Sequence, residues 1–453
     1  MSACSMPLSQ AAECLGAEMS GSDIVFKGVS TDTRKVQQGE LFVALKGENF
    51  DAHEFLQQAV EGGAVAAVVS RPVQTGVPVL LVEDTRHALG LLAQAWRSRF
   101  DIPVIGVTGS NGKTTVKEMI AAILAQEGQP LVTQGNLNNE IGVPLTLFNL
   151  DQQHTHAVIE MGANHIGEIA WLADIAKPDV GVVTNAMSAH LEGFGSLDGV
   201  ASAKGEMFAA LDESGVAIIN CDDRYADAWR ERAATARVLG FGLSELADVS
   251  ATDIRFDVSA WQTCFTLQTP AGTVDIALPL AGQHNVMNAL AAAAATFALG
   301  ISLTSIQQGL AAMTCVKGRL FAQRTRHGAL LIDDTYNANP DSLQAGLDVV
   351  ALLPGKRILV IGDMAELGSD SEALHSGIAA QAREAGVQFL FAVGEHSAVA
   401  VERFGNGAYH FMDHDALSMA LSAELDENSV VLIKGSRSAR MERIVNALLE
   451  DDE

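Results

Sequence analysis

Phosphate chemistry is the first possibility in this chain, because Thr108-Gly109-Ser110-Asn111-Gly112-Lys113-Thr114-Thr115 combines glycines, a lysine and hydroxyls in one short run. The apolar stretch Val104–Thr108 comes just before it, so a strand should lead into a glycine-bearing loop and then a helix reaching about Gln126. Backbone N–H groups at such a helix start, backed by the helix dipole, suit a triphosphate. Lys113 would reach the β- and γ-phosphates, and the Thr114 hydroxyl would ligate Mg2+. Counting back from Gly112, the first glycine of the usual phosphate loop falls on Val107, a departure from the common spacing.

Other residues could complete such a centre. Glu160 closes an apolar run at 157–161, and a carboxylate at a strand end beside the loop suits Mg2+. His190 follows the run 180–184, and Lys204 stands in Ala203-Lys204-Gly205-Glu206. Taken alone, His190 reads more readily as a satisfied structural histidine and Lys204 as a solvated helix lysine.

Positioning these groups requires buried strands whose ends face one crevice. The runs 104–108, 157–161, 180–184 and 216–220 are apolar throughout, as parallel strands covered on both faces are. Helical patterns between them predict a doubly wound α/β domain over 101–313, with a hairpin appended at 256–280. Before it, short β-like runs at 23–26, 41–45, 64–69 and 79–82 and a helix over 85–99 predict a mixed α/β domain over 1–100. Asp101-Ile102-Pro103 is the linker between them. A second α/β alternation, with strands at 329–332, 357–361, 389–393 and 430–434, predicts a Rossmann-like domain over 314–453.

A length of 453 residues agrees with three domains of about 150 each. Lys and Arg total 29 against 55 Asp and Glu, a net charge of −26. That excludes a protein whose main work is coating nucleic acid, and it disfavours docking on anionic lipid. Five scattered cysteines suit a reducing cytoplasm and no disulfide framework. No basic segment precedes an apolar run at the N-terminus, so no signal peptide is expected. The alanine-rich stretch 289–300 is too short for a membrane span.

The loop resembles the T-G-[TS]-[NS]-G-K-[TS] phosphate loop of the Mur ligases and folylpolyglutamate synthetases, whose G-x-x-G-K-[ST] pattern accounts for Val107. The likeness runs the length of the chain. After the loop come Asn136-Leu137-Asn138-Asn139, Glu160, His190, Lys204, Gly282-Gln283-His284-Asn285, Gly318-Arg319, the run Asp333 to Pro340, and Lys434-Gly435-Ser436-Arg437. The run Asp333-Asp334-Thr335-Tyr336-Asn337-Ala338-Asn339-Pro340-Asp341-Ser342 looks like that of the member adding D-alanyl-D-alanine to UDP-N-acetylmuramoyl-tripeptide. So does Gly362-Asp363-Met364-Ala365-Glu366-Leu367-Gly368. Ser30-Thr31-Asp32-Thr33-Arg34, 41–47 and Asp51-Ala52-His53 are similar to the UDP-sugar recognition domain of the dipeptide- and tripeptide-extending members.

The resemblance implies an ATP-dependent ligase of cytoplasmic peptidoglycan precursor synthesis that works through an acyl phosphate. ATP would lie between the second and third domains, its phosphates on Gly109, Ser110, Asn111, Gly112, Lys113, Thr114 and Thr115. Asn139 and Asn285 would sit near adenine or phosphates, Arg319 on the phosphates and Asp334 on the ribose, with Tyr336 beside the nucleotide. One Mg2+ would use Thr114 and Glu160, and a second His190 and a carbamate on Lys204. The UDP-muramoyl-peptide would meet Ser30, Thr31, Thr33, Arg34, Lys46, Gly47, Asp51 and His53. Asn136, Asn138, Asn337 and Asn339 would also contact substrate, as would Ser436, with Lys434 and Arg437 placing the peptide carboxylate or the incoming dipeptide. A monomer is expected, closing on hinges near Asp101 and at 314–317. A nucleotide switch lacks its guanine-reading Asn-Lys-x-Asp run here. A non-catalytic scaffold would not need Lys113, Glu160, His190 and Lys204 together, and a sister ligase adding a single amino acid is the remaining alternative.

Overall fold

A computed structural model describes residues 4–47, 50–188, 191–367 and 371–449. His190 and Gly368 lie outside the described residues. The chain is α/β throughout, as expected, and its architecture follows from three sheet systems set in series.

The central sheet is six-stranded and wholly parallel. Its order is Arg237–Phe241, Val216–Asn220, Val180–Val183, Val104–Thr108, His156–Glu160, Pro130–Val132. Val104–Thr108 comes first in the chain yet lies inside the sheet, with later strands added on either side. The winding direction therefore reverses at its carboxyl end, where a crevice opens and the phosphate loop departs.

The helix that follows, Lys113–Leu124, buries Val116, Met119, Ile120, Ile123 and Leu124, the three- and four-residue spacing of a face turned to the core. Against it lies Gln283–Ala298, in which every residue from Ala289 to Ala295 is buried. Small side chains let these backbones approach closely. The approach is tightest in helix Leu303–Ala311, where a Cβ on Gly309 would stand 2.3 Å from the Ile123 Cα.

Two sequence expectations change here. The stretch expected as a hairpin at 256–280 belongs to a three-stranded antiparallel sheet, Ser250–Asp257, Gln262–Thr269 and Gly272–Leu278. In the two six-stranded sheets four strands were not foreseen: Pro130–Val132, Arg237–Phe241, Phe321–Arg324 and Ala408–Phe411. All four are sheet edges. Edge strands are short and half-solvated, so they lack the continuous apolar signal of interior ones.

The last sheet runs Phe321–Arg324, Leu330–Asp334, Ser429–Lys434, Lys356–Gly362, Phe389–Val393, Ala408–Phe411, parallel except for its first strand. The first module holds a five-stranded sheet and the antiparallel pair Ser5–Pro7 with Val25–Lys27.

Packing around the expected hinge at Asp101 is continuous. One continuous core joins Leu8, Phe26, Leu89 and Trp96 of the first module to Ile159, Ile175 and Phe208 of the second. The Arg97 guanidinium clamps the linker by donating to the carbonyls of Phe100, Ile102 and Ala176 at 2.6, 3.1 and 3.2 Å. Between the second and third modules the apolar contact is smaller: Phe256, Trp261 and Ala281 pack against the third core. The chain near 314–317, the other expected hinge, runs between these less closely joined modules.

The close helix crossing gives one substitution opposite signs at two sites. Gly309→Ala forces an added methyl against the Ile123 backbone and should lower stability by about 1–3 kcal/mol. In helix Ser371–Glu384 a Cβ at Gly377 meets nothing within 4 Å, so Gly377→Ala should raise stability by about 0.5–1 kcal/mol. Urea denaturation of the two variants measures both.

Candidate active site

The phosphate loop is held by its neighbours before any ligand arrives. Gly109 has φ +141°, and a Cβ there would lie 1.9 Å from Thr184 Oγ1 and 3.0 Å from Thr184 N. Gly112 has φ +84°, and its missing Cβ would meet Asn288 Oδ1 at 2.4 Å. Thr184 and Asn185, at the end of the adjoining strand, fix the loop's path. Thr184 Oγ1 donates to the Asn111 carbonyl at 2.6 Å, Asn185 Oδ1 accepts from Asn111 N at 3.0 Å, and the Asn185 carbonyl accepts from Ser110 N at 3.0 Å. The first-turn N–H groups of helix Lys113–Leu124 have no intrahelical acceptor and lie beside two cavities.

One cavity, about 400 Å³, is walled by Phe241, Leu243, Leu280, Met287, Met313 and Leu320, with Thr115, Asn285, Asp334 and Lys434 supplying polar edges. The other, about 450 Å³, is lined by Lys113, Thr114, Asn136, Asn138, Asn139, Glu160, Tyr336, Asn337 and Asn339. Asn111, Gly112, Arg319 and Ser342 border both, so the loop is the threshold between an apolar chamber and a polar one. A flat aromatic base suits the first, and anionic groups with a metal the second.

Positive charge is concentrated at this threshold. Lys113 Nζ donates to the Gly109 and Ser110 carbonyls at 2.8 and 3.1 Å. Burial lowers the Lys113 pKa, Glu160 opposes the shift, and the Arg319 charge adds to it. Arg319 stacks its guanidinium 4.2 Å from the centre of the Tyr336 ring, and its buried Nε has no partner.

Glu160 accepts a hydrogen bond from Asn138 Nδ2 at 2.8 Å through Oε1, while its buried Oε2 has none. A buried carboxylate oxygen without a donor fits a cation ligand. Lys204 is buried, with Nζ 3.3 Å from the Ala163 carbonyl and 5.1 Å from the centre of the Phe194 ring. Burial and then the Lys113 charge bring its pKa down to about 7. Among the described residues no cluster of three or more His, Cys, Asp or Glu could hold a metal. A metal here would therefore draw on few protein ligands plus phosphate oxygens, the habit of Mg2+.

Several expected substrate contacts are committed elsewhere. Lys434 is buried in an ion pair with Asp334, its register partner on the adjacent strand, and donates to the Asn337 carbonyl at 3.1 Å. It also lines the apolar cavity. Asp334 also accepts from Leu320 N at 3.3 Å. Ser436 donates its hydroxyl to the Asp363 carbonyl at 2.7 Å, a corner tie.

Asn339 caps helix Pro340–Ala351, exchanges amide hydrogen bonds with Asn111 and so joins two modules at the wall of the polar cavity. Ser188 N donates to Asp341 Oδ2 across the same junction at 3.1 Å. Asn139 Oδ1 accepts from Gly142 N at 2.9 Å and borders only the polar cavity. His53 is buried between Asp51, 2.6 Å from its Nδ1, and Ser70 N, which donates to its Nε2 at 2.9 Å. Both nitrogens are thereby spent on structure.

Ser30, Thr31, Thr33, Arg34, Lys46 and Gly47 line neither cavity. Arg34 pairs with Asp32 on the surface, and Arg437 is exposed beside Glu442. Lys46 approaches the site through its carbonyl, which accepts from Arg86 at 3.5 Å, while Arg86 pairs with Glu140 in the polar cavity wall. Thr184, Asn185 and Asn288 were not singled out by sequence. Only the placement of Asn288 one turn beyond Asn285 carried any signal.

Comparison with known proteins follows the same order along the chain. Profiles described as Mur ligase family, catalytic domain; Mur ligase middle domain; and Mur ligase, glutamate ligase domain match residues 25–97, 107–296 and 318–437. The chain is 49% identical over 450 residues, 99% of both proteins, to UDP-N-acetylmuramoyl-tripeptide–D-alanyl-D-alanine ligase of Escherichia coli. It is 43% identical to the enzyme of that name from Haemophilus influenzae, over 97% of both. A crystal structure of MurF from Acinetobacter baumannii superposes with a TM-score of 0.94 at 36% identity, covering 100% of both chains. MurF ligase from Thermotoga maritima in complex with ADP gives 0.85 at 29% identity, covering 93% of this chain and 96% of that one.

Gly109→Ala should all but abolish nucleotide binding while leaving the rest of the fold intact, because both its φ and the Thr184 side chain exclude a Cβ. Calorimetric titration should show affinity reduced on the order of 100-fold or more, about 3 kcal/mol.

Proposed function

The chain belongs to the Mur ligase family, and from that premise we propose that it joins D-alanyl-D-alanine to UDP-N-acetylmuramoyl-tripeptide, converting ATP to ADP and phosphate. The observation that carries the reading in the structure is the threshold geometry. A nucleotide with its base in the apolar chamber must pass its phosphates over the loop and into the chamber of Lys113 and Glu160.

The chemistry answers a simple obstacle. A carboxylate does not react with an amine until one of its oxygens becomes a good leaving group. The terminal carboxylate of the tripeptide attacks the γ-phosphorus, ADP departs, and an acyl phosphate forms. The dipeptide amine then attacks the acyl carbon, a tetrahedral intermediate collapses with loss of phosphate, and the amine proton is released. Lys113 and Arg319 hold charge opposite the transferring phosphoryl group, and Asn111 holds the loop against the third module while the anions are in place.

Thr114 and Glu160 are the residues that would hold Mg2+, which when bound neutralises phosphate charge. Glu160's partnerless oxygen supports that role. Lys204 as a carbamate would offer two oxygens to a second ion. Its amine gains carbon dioxide at the nitrogen lone pair and loses a proton. The reading carries with it a cytoplasmic location and a monomer. No described helix is long and apolar enough to cross a membrane.

Purified protein supplied with ATP, Mg2+ and UDP-N-acetylmuramoyl-tripeptide should release phosphate only when D-alanyl-D-alanine is added. Release driven instead by glutamate or another single amino acid would assign the chain to a sister ligase. Lys204 gives a second test with a defined sign. Its pKa of about 7 leaves the amine neutral above that pH and protonated below it, so carbamate should be lost as pH falls through about 7. Spectra recorded with 13C-bicarbonate should show a carbamate carbon that is absent from Lys204→Ala. That variant should lose activity by roughly 100-fold and recover part of it with short carboxylic acids.

A further inference from the structure

Lys117 is buried with 1% of its surface exposed, yet nothing in the proposed reaction uses it. It lies one turn beyond Lys113 on the phosphate-loop helix, and its Nζ donates to the Thr133 carbonyl at 2.7 Å and pairs with Glu118 at 2.7 Å. Thr133 is the residue after the edge strand Pro130–Val132, whose ladder to the neighbouring strand ends at Val132 opposite Val158. Beyond that point the Glu160 N–H has no strand partner on this side and is taken by Thr133 Oγ1 at 3.0 Å. Thr133 N returns to the Val158 carbonyl at 3.1 Å.

We infer that Lys117 is a positioning residue that ties the helix bearing Thr114 to the strand end bearing Glu160, through Thr133, and so sets the spacing of the two protein groups offered to Mg2+. The inference rests on Glu160 serving as a metal ligand. Stability alone is a poor reason for this lysine. A cation near a helix N-terminus opposes the dipole, and an apolar chain of similar length would fill the site at little loss. What an apolar chain cannot do is grip a carbonyl and hold an edge segment in place where the ladder has ended. Outer contacts of this kind commonly change metal affinity by about 10- to 100-fold.

The test uses the full chain and a fluorescent, non-hydrolysable ATP analogue, titrated with Mg2+ and separately in EDTA. Lys117→Met and Thr133→Val should keep the EDTA affinity within about twofold while the Mg2+ midpoint rises roughly tenfold or more, with Lys117→Arg shifting less. Thr133→Val removes only the hydroxyl, so it decides the matter if Lys117→Met does not fold. An unchanged Mg2+ midpoint in both, or an equal loss of affinity in EDTA, overturns the inference. Glu160→Gln separates the two layers. If it raises the midpoint and the other variants do not, only the role of Lys117 fails. If it leaves the midpoint unchanged, Glu160 is not a ligand and both readings fall.

Discussion

Mutual repulsion among buried cations is the constraint that shapes this molecule. The chain carries a net charge of −26, yet Lys113, Arg319 and Lys434 line its two adjoining cavities, and Lys204 is buried within reach of the Lys113 charge. Burial lowers the pKa of Lys204, Lys113 and Lys434, and neighbouring cations add to it, Lys113 at Lys204 and Arg319 at Lys113 and Lys434. Such a cluster is bearable only beside fixed carboxylates, here Glu160 and Asp334, and it becomes favourable when polyanions enter. A partnerless Arg319 Nε and a partnerless Glu160 oxygen are the parts of the site that remain unsatisfied without ligands.

Holding that charge requires two sheets whose carboxyl ends converge. The central sheet contributes the phosphate loop at its switch point, and the last sheet contributes Asp334 and Lys434, paired across neighbouring strands. The first two modules share one core, whereas the third meets them through a few aromatic contacts and amide exchanges. That asymmetry suits a ligase. A ligase whose substrates arrive on separate modules needs some boundaries that hold and one that can give. The Asn111–Asn339 pair joins the third module to the loop itself.

The interior strands were legible because burial on both faces leaves an uninterrupted apolar run, as at Val104–Thr108 and Val216–Asn220. The four edge strands were not. Ala408–Phe411, with Tyr409 and His410 exposed, reads like a loop until a neighbour supplies its hydrogen bonds. The site divided the same way. Gly109, Gly112, Lys113 and Thr114 announce themselves because a loop that cradles phosphate demands those residues in that order. Lys434, Asn339 and His53 looked equally available, and each turned out to be spent on an ion pair, a helix cap or a buried turn.

By itself the sequence determined what is local: the phosphate loop, the α/β alternation and the run of motifs that places the chain in its family. Each depends on residues adjacent in the chain, where spacing alone dictates geometry. Only the tertiary structure decided which polar groups are free. It bound Lys434 to Asp334, a hundred residues away, buried Lys204 beside Lys113, and took the Glu160 N–H onto Thr133. A side chain's chemistry depends on its solvation and on the charges around it, and those come from segments that meet only when the chain has folded.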